Sequence, residues 1–277
     1  SRKSEPIKQN VEFSVSPAGI ADLPDDQTNS VVRALTLYRR KLTERDGGSF
    51  AVPRFRAHLV KSLPLDAGLG GASSNAAAAL VGANELCGGL ASAEELRAWA
   101  DELGADVAAF VGGTGSAYCT GRAIFVRGDA VEPLPPLAGP AAGELFVVAP
   151  QIELSTPALF RHLQADEYRG LGATPPRALL DEFRSGASAF ANDLEGAALV
   201  CSKPLAAVRS RLLDREGFRA VALSGAGPAL LAVGPPPAGE EADAFAARFR
   251  DECAAELGVE VGVWPARFGG GPRGLER

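Results

Sequence analysis

The chain contains no methionine. A complete primary translation product starts with that residue, so the chain is expected to be processed or a fragment. It also lacks any apolar run of the ~20 residues that a bilayer-spanning helix needs. Ser1 to Asn10 is polar and shows no secretory signal. With a net charge of -6 and no basic stripe, the sequence carries no electrostatic footprint for nucleic acid. Cys87, Cys119, Cys201 and Cys253 are far apart, with no C-x-x-C spacing. Reduced, buried cysteines of an intracellular protein are expected, the alternative being a disulfide or zinc framework.

What is present is ordinary for a soluble globular protein: 46% hydrophobic and 22% charged residues. A length of 277 residues accommodates one large domain or two modest ones. Val11–Val15 alternates as a strand. A helix is expected from Thr28 or Asn29, with Val31, Leu35, Tyr38 and Leu42 on one face and Arg33, Arg39, Arg40 and Lys41 on a solvated one. Phe55–Lys61 alternates as a second strand. Ser92 opens a further helix with Glu95 at capping-box spacing. Gly104 ends it, Asp106 starts another, and Tyr118–Val126 reads as a strand. Residues 128–143, rich in Pro, Gly and Ala, form the expected domain boundary. Beyond it, strands at Leu145–Ala149, Phe218–Leu223, Ala229–Val233 and Val259–Trp264 alternate with helices at Thr156–Leu163, Arg177–Phe183, Pro204–Glu216 and Glu240–Leu257. That is the pattern of a ferredoxin-like α+β sandwich. The Gly/Arg-rich tail, 268–277, is expected to be disordered.

The chemistry is concentrated in PLDAGLGGASSNAAAAL, from Pro64 to Leu80. Gly68, Gly70 and Gly71 stand just before a helix opening at Ser73-Ser74. Glycines allow positive φ and close approach to a ligand. A helix start offers unpaired N–H groups and a partial positive charge, which together hold phosphate oxygens. The hydroxyls of Ser73 and Ser74 can add donors or reach a magnesium ion. No lysine stands between glycine and serine, so the loop is not G-x-x-x-x-G-K-[ST]. Ser73 replaces the last glycine of G-x-G-x-x-G, so it is not a dinucleotide fingerprint. On composition alone, a flexible loop feeding an Ala-rich core helix is the alternative.

The string resembles the P-x-G-x-G-L-G-G-G-S-S-[DN]-A-A signature of the GHMP kinases, and within them the diphosphocytidyl-methylerythritol kinases. Asp66 stands where a small residue is usual and puts a negative charge near the phosphates, which is expected to weaken ATP binding. Ala72 replaces the third glycine, a mild change if its φ is negative. Leu103–Phe110 resembles the family string L-G-[SA]-D-[IV]-P-F-F, whose Asp, here Asp106, is implied to be the general base. Read locally, Asp106 is only a helix N-cap. Ala108 and Ala109 replace the Pro and first Phe, implying a looser pocket. Tyr118–Arg122 resembles a strand of plant-type members. Leu154–Phe160 resembles L-S-T-x-x-x-[FY], implying that Thr156 and Phe160 lie near a cytidine; the alternative for Phe160 is a core aromatic. Asn192–Glu195 matches N-D-L-E, read as ordering a helix start. Leu223–Pro228 resembles the third motif, implying roles for Ser224, Gly225 and Gly227 at the substrate.

The family's opening K-[IVL]-N and G-[YFR]-H segments have no clear counterpart. Their absence is expected, with Lys8 as the alternative to the missing lysine, and the expected consequence is weak nucleotide binding and poor turnover by this chain. The resemblance implies an α+β, two-domain GHMP kinase fold. Its N-terminal ATP-binding domain, of the ribosomal protein S5 domain 2 type, spans 1–140. A ferredoxin-like C-terminal domain spans 141–267. It further implies ATP and Mg²⁺ as cofactors and phosphate binding by Pro64, Ala67, Gly68, Leu69, Gly70, Gly71, Ala72, Ser73 and Ser74, with Ser73 near the metal. The catalytic base would be Asp106, and substrate contacts would come from Thr156, Phe160, Ser224, Gly225 and Gly227. The implied substrate is diphosphocytidyl-methylerythritol, with no nucleic-acid or membrane partner, in a monomer or homodimer of the plastid stroma or cytoplasm. Alternatives are a homoserine or mevalonate type of kinase, or a non-catalytic relative or inactive fragment.

Overall fold

The computed structural model describes residues 11–16, 26–45, 47, 53–112, 117–119, 131–135, 143–162, 176–185, 192–237 and 239–268. Lys8-Gln9-Asn10, most of the 128–143 boundary, Gly121-Arg122 and the tail beyond Phe268 lie outside these residues. The described chain forms two compact units. One takes the described residues up to Leu65 and from Gly70 to 135. The other takes Asp66–Leu69 and the described residues from 143 to 268.

In the first unit, strands β1 (Val11–Ser16) and β2 (Phe55–Val60) pair in parallel, Val11 opposite Phe55. Helix α1 (Ser30–Arg45) starts where the Asn29 side chain accepts from the Val31 N–H at 2.9 Å. Its Val31, Leu35, Tyr38 and Leu42 are buried, as their spacing requires. Helix α2 (Gly71–Leu86) packs along α1 through a buried polar tie. The Tyr38 hydroxyl donates to Asn84 Oδ1 at 3.0 Å, and Asn84 exchanges hydrogen bonds with the backbone of Ala91. Tyr38 meets Phe55 and Trp99 edge to face. The capping box of α3 (Ala93–Asp101) is present as expected: Ser92 Oγ accepts from the Glu95 N–H, and the Glu95 carboxylate accepts from the Ser92 N–H. Arg40, exposed as expected, and half-buried Lys41 both pair with the Glu102 carboxylate just past α3. Helix α4 (Ala105–Val111) follows, then the antiparallel pair β3 (Ala117–Cys119) and β4 (Val131–Pro133).

The second unit is built on an antiparallel sheet of β5 (Glu144–Pro150), β6 (Ala220–Leu223), β7 (Leu230–Val233) and β8 (Val261–Arg267), ordered β6-β7-β5-β8. Helices α5 (Thr156–His162), α6 (Pro176–Ser185), α7 (Asp193–Cys201) and α8 (Lys203–Ser210) come between β5 and β6, and α9 (Ala242–Glu252) between β7 and β8. This is the strand–helix–strand–strand–helix–strand order of a ferredoxin-like sandwich. Phe146, Phe218, Phe245 and Phe249 cluster at its core. Both α8 and α9 end in a π turn, at Arg211–Arg215 and Cys253–Leu257. Buried Arg211 joins them through Glu252 and Glu256 and lies over the Phe249 ring. β8 runs to Arg267, beyond the expected end at Trp264, because an edge strand of this sheet tolerates Pro265. All four cysteines are free, but only Cys253 is fully buried; Cys119 and Cys201 are exposed, against expectation.

Candidate active site

The glycine loop is held from both ends of the sequence. Gly68 has φ +73°, and a Cβ there would stand 2.1 Å from the Ser224 carbonyl oxygen. No other residue fits. The Ser224 hydroxyl donates to the Gly68 carbonyl at 2.9 Å, and the Ala229 N–H donates to the Ala67 carbonyl at 3.1 Å. A Cβ on Gly225 would approach that Gly68 oxygen to 3.3 Å. Ala67 is buried with Ala149 and Ala229, and Leu69 packs against them. Two glycine motifs far apart in the chain are therefore one backbone assembly. Ser224, Gly225 and Gly227, which the resemblance places at the substrate, shape this assembly; Gly227 faces the side chains of Leu223 and Leu154. The turn is gripped in its own right by Asn192 and Glu195. Asn192 donates to the carbonyls of Leu223 and Gly225, and Glu195 accepts from the Leu223 N–H.

Asp66, in the position where the family has a small residue, has φ +48° and is the non-glycine residue with left-handed backbone among the described residues. Asp tolerates that region better than most side chains do. Pro64 is exposed, just ahead of the loop.

In the first unit the helix that follows is open at its start. Gly70, the N-cap of α2, is left-handed at φ 65°, and no side chain caps it. The Ser74 N–H makes the first return bond, to the Gly70 carbonyl at 2.9 Å. The N–H groups of Gly71, Ala72 and Ser73 therefore have no intrahelical acceptor. Helices α3, α7 and α8 are each capped by a side chain, whereas α4 and α9, like α2, are not. Ala72 has a negative φ, so replacing glycine there carries no backbone cost. The Ser74 hydroxyl turns back to the Gly71 carbonyl at 3.1 Å. Ser73 makes no side-chain hydrogen bond among the described residues, which leaves its hydroxyl for a ligand.

Two further groups crowd this end of α2. Lys61, just beyond β2, places its Nζ 3.0 Å from where a Gly71 Cβ would be, and it has no ion-pair partner among the described residues. The ring of Phe110 lies 3.3 Å from a Gly70 Cβ. Asp106 is one turn before Phe110 on α4, so the two share a helix face. The carboxylate is exposed in the first turn of that helix. Partial desolvation, and then the charges of Asp106 and Asp101, push the Cys119 thiol above its usual range. The unit thus holds an open helix start with the Lys61 ammonium beside it, and an exposed carboxylate in the first turn of α4. Sequence reasoning missed Lys61 because a lysine closing an alternating strand carries no local mark.

In the second unit Thr156 and Phe160 are one turn apart on α5 and both exposed; Phe160 is 51% exposed and not a core aromatic. No cluster of three or more His, Cys, Asp or Glu among the described residues is arranged to hold a metal.

The description "GHMP kinases N terminal domain" matches residues 29–114. The chloroplastic 4-diphosphocytidyl-2-C-methyl-D-erythritol kinase of Oryza sativa is 36% identical over 243 residues, 83% of this chain and 56% of that protein. The enzyme of the same name from Protochlamydia amoebophila is 36% identical over 228 residues, 82% of this chain and 70% of that protein. A crystal structure of 4-(cytidine 5'-diphospho)-2C-methyl-D-erythritol kinase, 28% identical, superposes with a TM-score of 0.64 over 94% of this chain and 82% of that one. The chain spans little more than half the length of the plant relatives it matches. With identity of this level running through both halves, the chain belongs to the 4-diphosphocytidyl-2-C-methyl-D-erythritol kinase family of the GHMP kinases.

Proposed function

We propose that this chain transfers the γ-phosphoryl group of ATP to the 2-hydroxyl of 4-diphosphocytidyl-2-C-methyl-D-erythritol, a step of the non-mevalonate isoprenoid pathway. The observation that carries this reading is the uncapped start of α2, a 16-residue helix whose first N–H groups open beside Lys61 and Phe110. Phosphoryl transfer asks the protein mainly for positioning and charge stabilisation. The N–H groups of Gly71, Ala72 and Ser73 and the Lys61 ammonium take the phosphate oxygens. Asp106 holds the acceptor hydroxyl in line and takes its proton as the new P–O bond forms and ADP leaves.

Mg²⁺ in such sites rests largely on substrate phosphates, with only one or two protein oxygens. The unpartnered Ser73 hydroxyl fits that demand and needs no acidic cluster; bound there, the ion would neutralise phosphate charge. The cytidine is assigned to Thr156 and Phe160, whose exposed ring offers a stacking face. The domain assignment, 1–140 for ATP binding and 141–267 for the C-terminal domain, is supported by the change of compact unit between residues 135 and 143, although Asp66–Leu69 group with the second unit. A plastid location is supported by the chloroplastic relatives.

Offered side by side with Mg-ATP, 4-diphosphocytidyl-2-C-methyl-D-erythritol should give ADP while homoserine and mevalonate do not. Equal turnover of homoserine or mevalonate would remove the substrate assignment and leave only a small-alcohol kinase. Two variants probe the phosphate end. Lys61→Ala should raise the Kd for Mg-ATP about tenfold, the weight of one charge-assisted hydrogen bond, and calorimetric titration reads this directly. Asp66→Gly should act in the opposite direction. It relieves a left-handed non-glycine residue, worth roughly 1 kcal/mol, and removes a negative charge beside the phosphates. The same titration should show tighter binding, and thermal unfolding a slightly higher Tm.

A further inference from the structure

Asn192 and Glu195 do more than start α7. Ordering the helix needs only Asn192 Oδ1, which accepts from the Leu194 N–H at 3.0 Å. Its amide nitrogen has no part in that cap. Instead it donates both hydrogens, at 2.8 Å each, to the carbonyls of Leu223 and Gly225, the residues on either side of Ser224. Glu195, one turn further on, accepts from the Leu223 N–H at 2.7 Å through one carboxylate oxygen. The other oxygen is held by Arg209 of α8, also at 2.7 Å. The peptide groups flanking Ser224 are thus fixed by side chains from another element, and Ser224 in turn reaches Gly68.

We propose that Asn192 and Glu195 are positioning residues for the glycine loop, acting through the turn at Ser224–Gly227. The chain of contacts runs from Arg209 to Glu195, from Glu195 and Asn192 to Leu223 and Gly225, and through Ser224 to Gly68. A serine hydroxyl alone would hold Gly68 loosely, because it rotates and accepts alternative partners. Bonding the backbone on both sides of Ser224 fixes where its Cα–Cβ bond points and so presents the hydroxyl to Gly68. The consequence for nucleotide affinity rests on the proposed function; the mechanical consequence does not.

The test separates the two. Asn192→Asp and Asn192→Ser both retain an oxygen for the helix cap, and Ser and Asp are as good as Asn at that position. Both remove the two donations to the turn, and the serine variant does so without adding charge. Amide hydrogen exchange then reads the loop directly, since the Ala229 N–H is bonded to the Ala67 carbonyl. Exchange at Leu223 and Ala229 should accelerate about tenfold, the scale of one or two lost buried hydrogen bonds, while amides within Asp193–Cys201 keep their protection. In turnover, KM for ATP should rise by a similar factor with kcat changing less. Unchanged exchange at Ala229 in both variants would overturn the proposal. So would equal acceleration throughout the unit, which would make Asn192 a folding residue only. If the native chain fails to bind Mg-ATP yet Ala229 exchanges faster in the variants, the positioning role stands and the kinase reading falls.

Discussion

Asp106→Asn is expected to abolish most phosphoryl transfer while leaving the fold and the affinity for ATP intact. A positioned general base contributes roughly 10²–10⁴-fold to rate, and kcat should fall within that range. The substitution keeps the size of the side chain and its hydrogen-bonding reach, and Asp106 is exposed in the first turn of α4, so little packing is at stake. Asp106 is the second helical residue after the N-cap Gly104, so losing its charge against the helix dipole should cost roughly 0.3–1 kcal/mol and lower the Tm only slightly. A second readout checks the geometry independently of activity. The Asp106 carboxylate helps hold the Cys119 thiol above its usual range. Removing that charge should lower the thiol pKa, so alkylation of Cys119 at a fixed neutral pH should be faster in the variant. Full kcat in Asp106→Asn would make the residue a helix-start group with no part in the chemistry.

Gly68→Ala is expected to be the most damaging single change in the glycine loop. The left-handed φ alone costs an L-residue roughly 1–2 kcal/mol. The larger effect is steric: the new methyl would sit 2.1 Å from the Ser224 carbonyl oxygen, a backbone atom that cannot swing aside as a side chain can. Either the loop or the Ser224–Gly227 turn must move, breaking the contacts at Gly68 and Ala67 that join them. A total loss of about 3–5 kcal/mol is expected, the upper end for point substitutions, with Mg-ATP binding no longer measurable. Gly88→Ala is the matched control. Gly88 also has a positive φ, +81°, but nothing lies within 4 Å of its Cβ position. It should show the backbone cost of roughly 1–2 kcal/mol and unchanged nucleotide affinity. Comparable effects of the two variants, by thermal unfolding and titration, would mean that close approach to Ser224 is unimportant.

The features legible in the sequence were those written into short stretches of chain. The Ser92–Glu95 capping box, the buried face of α1 and the glycine run before α2 each depend on neighbours within a turn or two, and spacing alone locates them. The strand and helix order of the second unit follows from the same periodicities. What spacing could not give was contact over long separations. Gly68 and Ser224 lie 156 positions apart, and nothing local to either says they touch. Asn192 looks like a helix cap because capping is its local role, while both of its turn-holding donations reach more than 30 residues along the chain. Lys61 reads as the last residue of a strand, although its ammonium lies against Gly71. Arg211, buried between two π turns, sits in a stretch that periodicity reads as one continuous helix. Exposure of Phe160 and Cys119 was equally invisible, since both residue types are usually buried.

If the proposed function is right, phosphate oxygens seat on the open start of α2, beside Lys61. Backbone amide spectra of the chain, titrated with Mg-ATP, test it most directly, because they detect even weak binding and assign it to residues. Saturable shifts are expected at Gly71, Ala72 and Ser73, with affinity reduced by Lys61→Ala. Saturable shifts confined to other parts of the chain, or no shifts at millimolar nucleotide, would contradict it.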